Sequence, residues 1–184
     1  MANIILNGKT VVTQTGNDEP LIGGNVVFPA GSSISGQIGG GHILQVQQKI
    51  KSDTFSHDNN TPTPVTGLDC DITVGSENNY VLVVVSLGVV GTTNSGVANF
   101  QIRCDGSTFN LPSGGTQNVH FGQYINDAYR YIPQSFTILH LPGSGLHTYQ
   151  PYILSDIATV YINRRAQDTF VSGVSTITLF EIQS

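Results

Sequence analysis

From His42 onward the chain alternates apolar and polar residues with a period of two, the pattern of half-buried strands. In "HILQVQQKIKS", Leu44, Val46 and Ile50 face one way, while Gln45, Gln47, Lys49 and Lys51 face the other. "VANFQIRC", "SFTILHL", "HTYQPYIL", "ATVYINR" and "STITLFEI" follow, separated by turn residues and by loops such as "NLPSGGTQN" and "LPGSGL". No stretch carries a helical stripe over three turns; "QYINDAYRYI" is read as one helical turn at most, bracketed by Gly122 and Pro133. About eight strands with turn signals between them predict an all-β fold, an antiparallel β-sandwich or jelly roll.

One strand breaks the alternation. In "YVLVVVSL", Tyr80, Leu82 and Val84 lie on one face, and Val81, Val83, Val85 and Leu87 on the other. Both faces are apolar, whereas a sandwich covers only one face of each sheet. Leaving three such side chains in water forgoes several kcal/mol at ~25 cal/mol per Å² of apolar surface. Another copy of the same chain is the simplest cover, so a homo-oligomer is expected.

Residues 1–41 read differently. "NIILNGKTVV" places Asn7-Gly8 between two apolar runs, a hairpin signal because both residues tolerate the left-handed backbone of a two-residue turn. A short strand, "NVVF", comes next, and then "PAGSSISGQIGGG", whose composition is that of a linker. The expected organisation is an N-terminal segment, 1–41, and a sandwich domain, 42–184.

Composition sharpens the picture. Only 10% of the residues are charged, the formal net charge is -5, and the basic residues form no patch beyond Arg164-Arg165. Nucleic-acid binding through phosphates is therefore not expected. No secretory leader is evident, and "YVLVVVSLGVV" is too short to span a bilayer, so synthesis in a cytoplasm without membrane insertion is expected. Cys70 shares a face with Leu68, Ile72 and Val74, and Cys104 with Ala98, Phe100 and Ile102. Both thiols are expected in the core, with a disulfide between facing strands left open.

The succession "HILQVQQKIKSDTFS", "VTGLDCDITV" and "YVLVVVSL", and later "LHTY", "ATVYINR" and "GVSTITLFEI", resembles a virion domain of tailed bacteriophages found at fibre ends and in small head-decoration or appendage proteins. The resemblance covers residues 42–184 and is most specific in the closing motif. It implies a β-jelly-roll knob, trimeric in its relatives, carried by an N-terminal part that fastens it to the particle. Its last strand would lie within a sheet, packing Ile177, Leu179, Phe180 and Ile182. The trimer interface is assigned to Tyr80, Leu82, Val84, His140, Tyr161 and Phe180. Virion attachment is assigned to Ile4, Ile5, Leu6, Val11, Val12, Val26, Val27 and Phe28. Only about forty residues precede the knob, which suits a capsid decoration (cement) protein or head fibre better than a long tail fibre. The expected partners are two further copies and a major capsid protein or another virion protein. The alternative is a tail-fibre or tail-tip knob that binds a host-surface glycan or protein through a rim of Tyr124, Tyr129, Tyr131, Tyr149 and Tyr152, aromatic residues with an apolar body and a polar tip.

Catalytic chemistry has little support. There is no G-x-S-x-G elbow, and the five histidines have no H-E-x-x-H or H-x-H spacing. His140 alternates with Phe136 and Ile138 and reads as a core-edge or interface residue; His147 reads as a structural hydrogen-bonding residue. Asp69 and Asp71 read as solvated strand positions before calcium ligands or a glycosidase pair. No enzyme activity, cofactor or metal is expected.

Overall fold

The structure, a computed structural model, describes residues 3–6, 9–13, 41–115, 117–156 and 158–184. The chain divides into two compact units, Met1–Ile38 and Gly39–Ser184. In the first, β1 (Asn3–Leu6) pairs antiparallel with β2 (Lys9–Thr13), with Leu6 opposite Lys9, so that only Asn7 and Gly8 connect them. Val26, Val27 and Phe28, assigned above to virion attachment, lie outside the described residues.

The second unit is a sandwich of two six-stranded antiparallel sheets. One sheet contains β3 (Ile43–Lys51), β4 (Phe55–His57), β7 (Tyr80–Thr92), β11 (Ile132–His140), β13 (Val160–Ile162) and β14 (Ser175–Ile182). The other contains β5 (Thr63–Pro64), β6 (Cys70–Val74), β8 (Gly96–Cys104), β9 (Ser107–Thr108), β10 (Phe121–Ile125) and β12 (Gly145–Leu154). The stretch read as a helical turn is instead the end of β10, a loop, and the start of β11. Pro133 is tolerated there because β11 pairs with β7 alone and so borders its sheet, where a missing N–H breaks no ladder.

The core lies between the sheets. Val81, Val83, Val85 and Leu87 of β7, with Ile177 and Leu179 of β14, face Ala98, Phe100 and Ile102 of β8 and Ile153 of β12. Phe121 stacks on Phe100 at 4.9 Å and on Phe136 at 5.2 Å, joining strands of the two sheets through one aromatic column. The last strand is internal, as expected: β14 is flanked by β7 and β3. Cys70 and Cys104 are buried free thiols, both in register with Tyr149 from opposite sides of β12. Two strand spacings, roughly 9–10 Å, separate them, which is too far for a disulfide.

Candidate functional site: an uncovered apolar face

β7 is apolar on both sides, and the structure treats its two halves differently. Over its second half the connection between β13 and β14 folds back onto the outer face. It approaches so closely that a side chain at Gly88 would strike the carbonyl of Val174, and one at Gly91 the backbone of Ala166. These glycines admit the strap because they have no Cβ. Over its first half none of the described residues covers the outer face. There Leu139 of β11, Leu82 of β7, Phe180 of β14 and Val46 of β3 stand in register as one apolar row across four strands. Tyr80 is opposite Ile182, one step further along. Leu139 is 44% and Val46 50% exposed; Leu82, Val84, Phe180 and Ile182 are half-buried only by one another and their neighbours. The neighbouring rows hold Thr137, Val84, Thr178 and Gln48, then Ser135, Ser86, Thr176 and Ile50. No ionisable side chain interrupts these three rows.

β3 accentuates the face. Its register with β14 points Val46 and Ile50 outward, away from the second sheet, while Gln45, Gln47 and Lys49 lie on the core side. Apolar residues of an edge strand thus meet water: Val46 is half exposed and Ile50 58% exposed. At the core side, Glu181 is buried and accepts hydrogen bonds from Gln45 (2.6 Å), Asn79 (2.7 Å) and the Gly75 amide (2.8 Å). Burial pushes its carboxyl up, but these donors outweigh burial and hold it below the ordinary value.

The outer face of the other sheet is mostly polar, with Leu146 and Tyr124 as isolated exposed apolar side chains. Asp71 accepts the Thr148 hydroxyl at 2.6 Å, and Arg103 donates to Gln101 and lies 4.3 Å over the Tyr152 ring.

Near one end of the sandwich lies an open cleft of about 240 Å³, lined in part by Cys104, Asp105, Phe109, His140 and His147. Asp105 and Gly106 have positive φ (51° and 76°), which makes the tight turn from β8 to β9. The Asp105 carboxylate accepts the Thr148 amide through Oδ1 and meets His147 Nδ1 through Oδ2, both at 2.8 Å. Burial raises the Asp105 carboxyl, but the Thr148 amide and His147 outweigh it and leave it below its ordinary value. Cys104 Sγ is 3.9 Å from the same His147 nitrogen, and burial pushes its thiol up to about 11. This arrangement does not make a nucleophile. A relay needs one imidazole nitrogen on the thiol and the other on the carboxylate, whereas here Nδ1 faces both and the thiol is held protonated.

The residues predicted for the trimer interface separate into three groups. Tyr80, Leu82, Val84 and Phe180 share the uncovered face. Tyr161 lies under the Arg164 guanidinium (4.5 Å), beside the half that the strap covers. His140 is not on that face: it stands opposite Val81, toward the core, and its Nδ1 lies 2.8 Å from the Tyr149 hydroxyl. Tyr149 is not on any rim either, for it is fully buried at the centre of β12. Its parity with Pro151 and the core residue Ile153 places it inward. Tyr124, Tyr129 and Tyr131 are exposed and Tyr152 is half-buried. Sequence reasoning missed Arg165 and Phe170. The Arg165 guanidinium lies 5.9 Å from the Tyr129 ring and 5.3 Å from that of Phe170, and Phe170 is 85% exposed.

No family model and no curated protein matches the chain. Among solved structures, it is similar to a chain in the structure of infectious bursal disease virus, Gx strain, at 10% identity and a TM-score of 0.40. The match covers 77% of this chain and 42% of that one, so the chain spans less than half of its length. Among the described residues, no helix is long and apolar enough to cross a membrane.

Proposed function

We propose that this chain is a structural protein of a virus particle, a homotrimer whose sandwich domains pack through the uncovered face and whose N-terminal segment fastens the assembly to a capsid or other virion protein. The observation that carries the reading is the uncharged row Leu139, Leu82, Phe180 and Val46, which the described residues of one copy leave uncovered. A contiguous apolar patch of this kind marks an interaction surface. Its occupant is a second copy of the chain: the rows carry no charge to match on a charged partner, and they run out to an edge strand whose own apolar side chains point to the same side. Covering the exposed parts of these side chains contributes several kcal/mol per copy, at ~25 cal/mol per Å². The tailed-phage resemblance supports the trimer and a role in capsid decoration or as a head appendage. The role is assembly without catalysis.

Sedimentation of the full chain tests the assembly: the expected species has three times the 19.6 kDa chain mass, and a single 19.6 kDa species overturns it. Labelling the protein on particles tests the location. Removal of residues 2–30 is expected to leave a trimer that no longer attaches, and full occupancy by that variant would refute the anchor.

A second reading is favoured by the exposed group of Tyr129, Arg165 and Phe170, aromatic faces around a cation, which suits a host-surface glycan. Saturable binding of the purified protein on a glycan array, abolished by Arg165→Ala with Phe170→Ala, would support it.

A further inference from the structure

We propose that Cys104, Asp105 and His147 form a zinc site, with the fourth coordination position open to the cleft beside Phe109 and His140. Among the described residues, this is the group of three ligating side chains whose donor atoms converge within 4.8 Å of one another. Sγ lies 3.7 Å from Asp105 Oδ2 and 3.9 Å from His147 Nδ1, and these last two are 2.8 Å apart. Bonds of about 2.3 Å to sulfur and 2.0–2.2 Å to nitrogen and oxygen place the ligands of a tetrahedral zinc roughly 3.3–3.6 Å apart. None of the three separations needs to change by more than about half an ångström.

The scaffold fixes the donors before any ion arrives. Cys104 ends β8, in register with Tyr149 of β12, and His147 is two residues earlier on that strand. Asp105 is held at both ends: its amide donates to the Thr148 carbonyl at 2.9 Å, and its Oδ1 accepts the Thr148 amide. Oδ2 is left to point at the imidazole nitrogen and the thiol as the ligand, while Oδ1 keeps the kind of hydrogen bond that the second oxygen of a liganding carboxylate commonly makes. One thiolate, one carboxylate and one neutral imidazole balance the charge of a divalent ion. The donor set selects the metal. Calcium and magnesium require mostly oxygen ligands, six or more, and only one carboxylate is present; sulfur with imidazole suits zinc.

The test uses the full chain, stripped with chelator and titrated with Zn²⁺ against a competing chromophoric chelator, with stoichiometry from native mass spectrometry. One zinc per chain is expected. Co²⁺ in its place is expected to give intense tetrahedral ligand-field bands and a thiolate charge-transfer band. Cys104→Ser, Asp105→Asn and His147→Gln are each expected to weaken binding at least tenfold to a hundredfold, while Cys70→Ala leaves it intact. Should Cys104→Ser fail to fold by circular dichroism, Asp105→Asn and His147→Gln decide the matter, together with the thiolate band in the unaltered chain. No stoichiometric zinc at micromolar free ion, a cobalt spectrum without the thiolate band, or binding that survives in the folded variants would overturn the site.

Discussion

The two outer faces of the sandwich share strand geometry and differ in chemistry. On the sheet built around β12, outward positions hold Asp71, Thr73, Gln101, Arg103, Thr148 and Gln150 beside the exposed Leu146, with Arg103 bonded to Gln101 and Thr148 to Asp71. On the sheet built around β7, outward positions in the first half of the strand hold Leu82, Val84, Phe180, Leu139 and Val46. The β13–β14 strap shields the remaining half. Among the described residues, the strap is what covers this second apolar surface, and the first half of the strand is left uncovered on its outer side. A sandwich that functions alone has two faces of the first kind.

The most disruptive test places charge in the bare row. Leu82→Asp with Phe180→Asp puts two carboxylates side by side in the proposed contact between copies, where each would face a desolvation penalty of several kcal/mol. A loss of roughly 4 kcal/mol weakens association about a thousandfold, so sedimentation is expected to show single chains of unchanged circular dichroism. Thr73→Asp, on the polar face, is expected to leave the assembly intact. If both variants sediment like the unaltered protein, the bare row is not the contact.

A milder change probes the edge. Val46→Lys keeps the strand and removes one half-exposed apolar side chain from the proposed contact, an expected loss of roughly 1.5–2 kcal/mol or about ten- to thirtyfold in association. Because Val46 touches little within its own copy, the single-chain unfolding free energy is expected to change by less than about 0.5 kcal/mol.

The difference between the faces was partly legible in the sequence. The unbroken valines of "YVLVVVSL" expose both faces of β7 as apolar whatever its neighbours, and the alternation around Cys70 and Cys104 places both thiols inward. Other features depend on register between distant segments, which alternation does not report. The pattern of β3 separates Val46 and Ile50 from Gln45 and Gln47 but is silent on which set meets the core, and pairing with β14 turns the polar set inward. Gly88 and Gly91 look like ordinary strand glycines until the strap is seen against them. Clustered tyrosines suggested a rim, yet Tyr149 belongs to the inward parity of β12. Cys104 and His147 are 43 residues apart, so no motif spacing announces that their side chains meet.

Acid separates the interior from the contact. His120 accepts the Ile102 amide through Nδ1 and approaches the Phe109 carbonyl with Nε2, both at 2.9 Å, so the neutral tautomer fits and protonation of Nδ1 removes an acceptor. Burial lowers its pKa below 6.5, partly opposed by the Phe109 carbonyl. A lowered histidine pKa means that the folded state binds fewer protons, so its share of stability is full above pH 6.5 and falls as the solution is acidified below it. Glu181, lowered from 4.5, adds a loss of the same sign further down. Each group contributes at most ~1.4 kcal/mol per pH unit within its window. Burial lowers His140 as well, so chemical denaturation at pH 7 and pH 5 is expected to show a loss from both histidines that His120→Gln reduces at its upper end. The three outer rows of the β7 sheet hold no ionisable group, so association of the still-folded chain is expected to stay level over the same range.

The smallest effect is expected on the polar face. Arg103→Ala removes a guanidinium that donates to Gln101 at 2.9 and 3.2 Å and lies over Tyr152. Partly exposed contacts of this kind contribute roughly 0.5–1 kcal/mol, so the denaturation midpoint should shift slightly and the sedimenting species should not change. The value of this variant lies in its asymmetry with the first. Arg103 lies on the opposite outer face from Leu82, and charge removal there strips no apolar area from the bare row. Dissociation caused by Arg103→Ala would mean that the copies meet through the hydrogen-bonded face, leaving the apolar row for a different occupant.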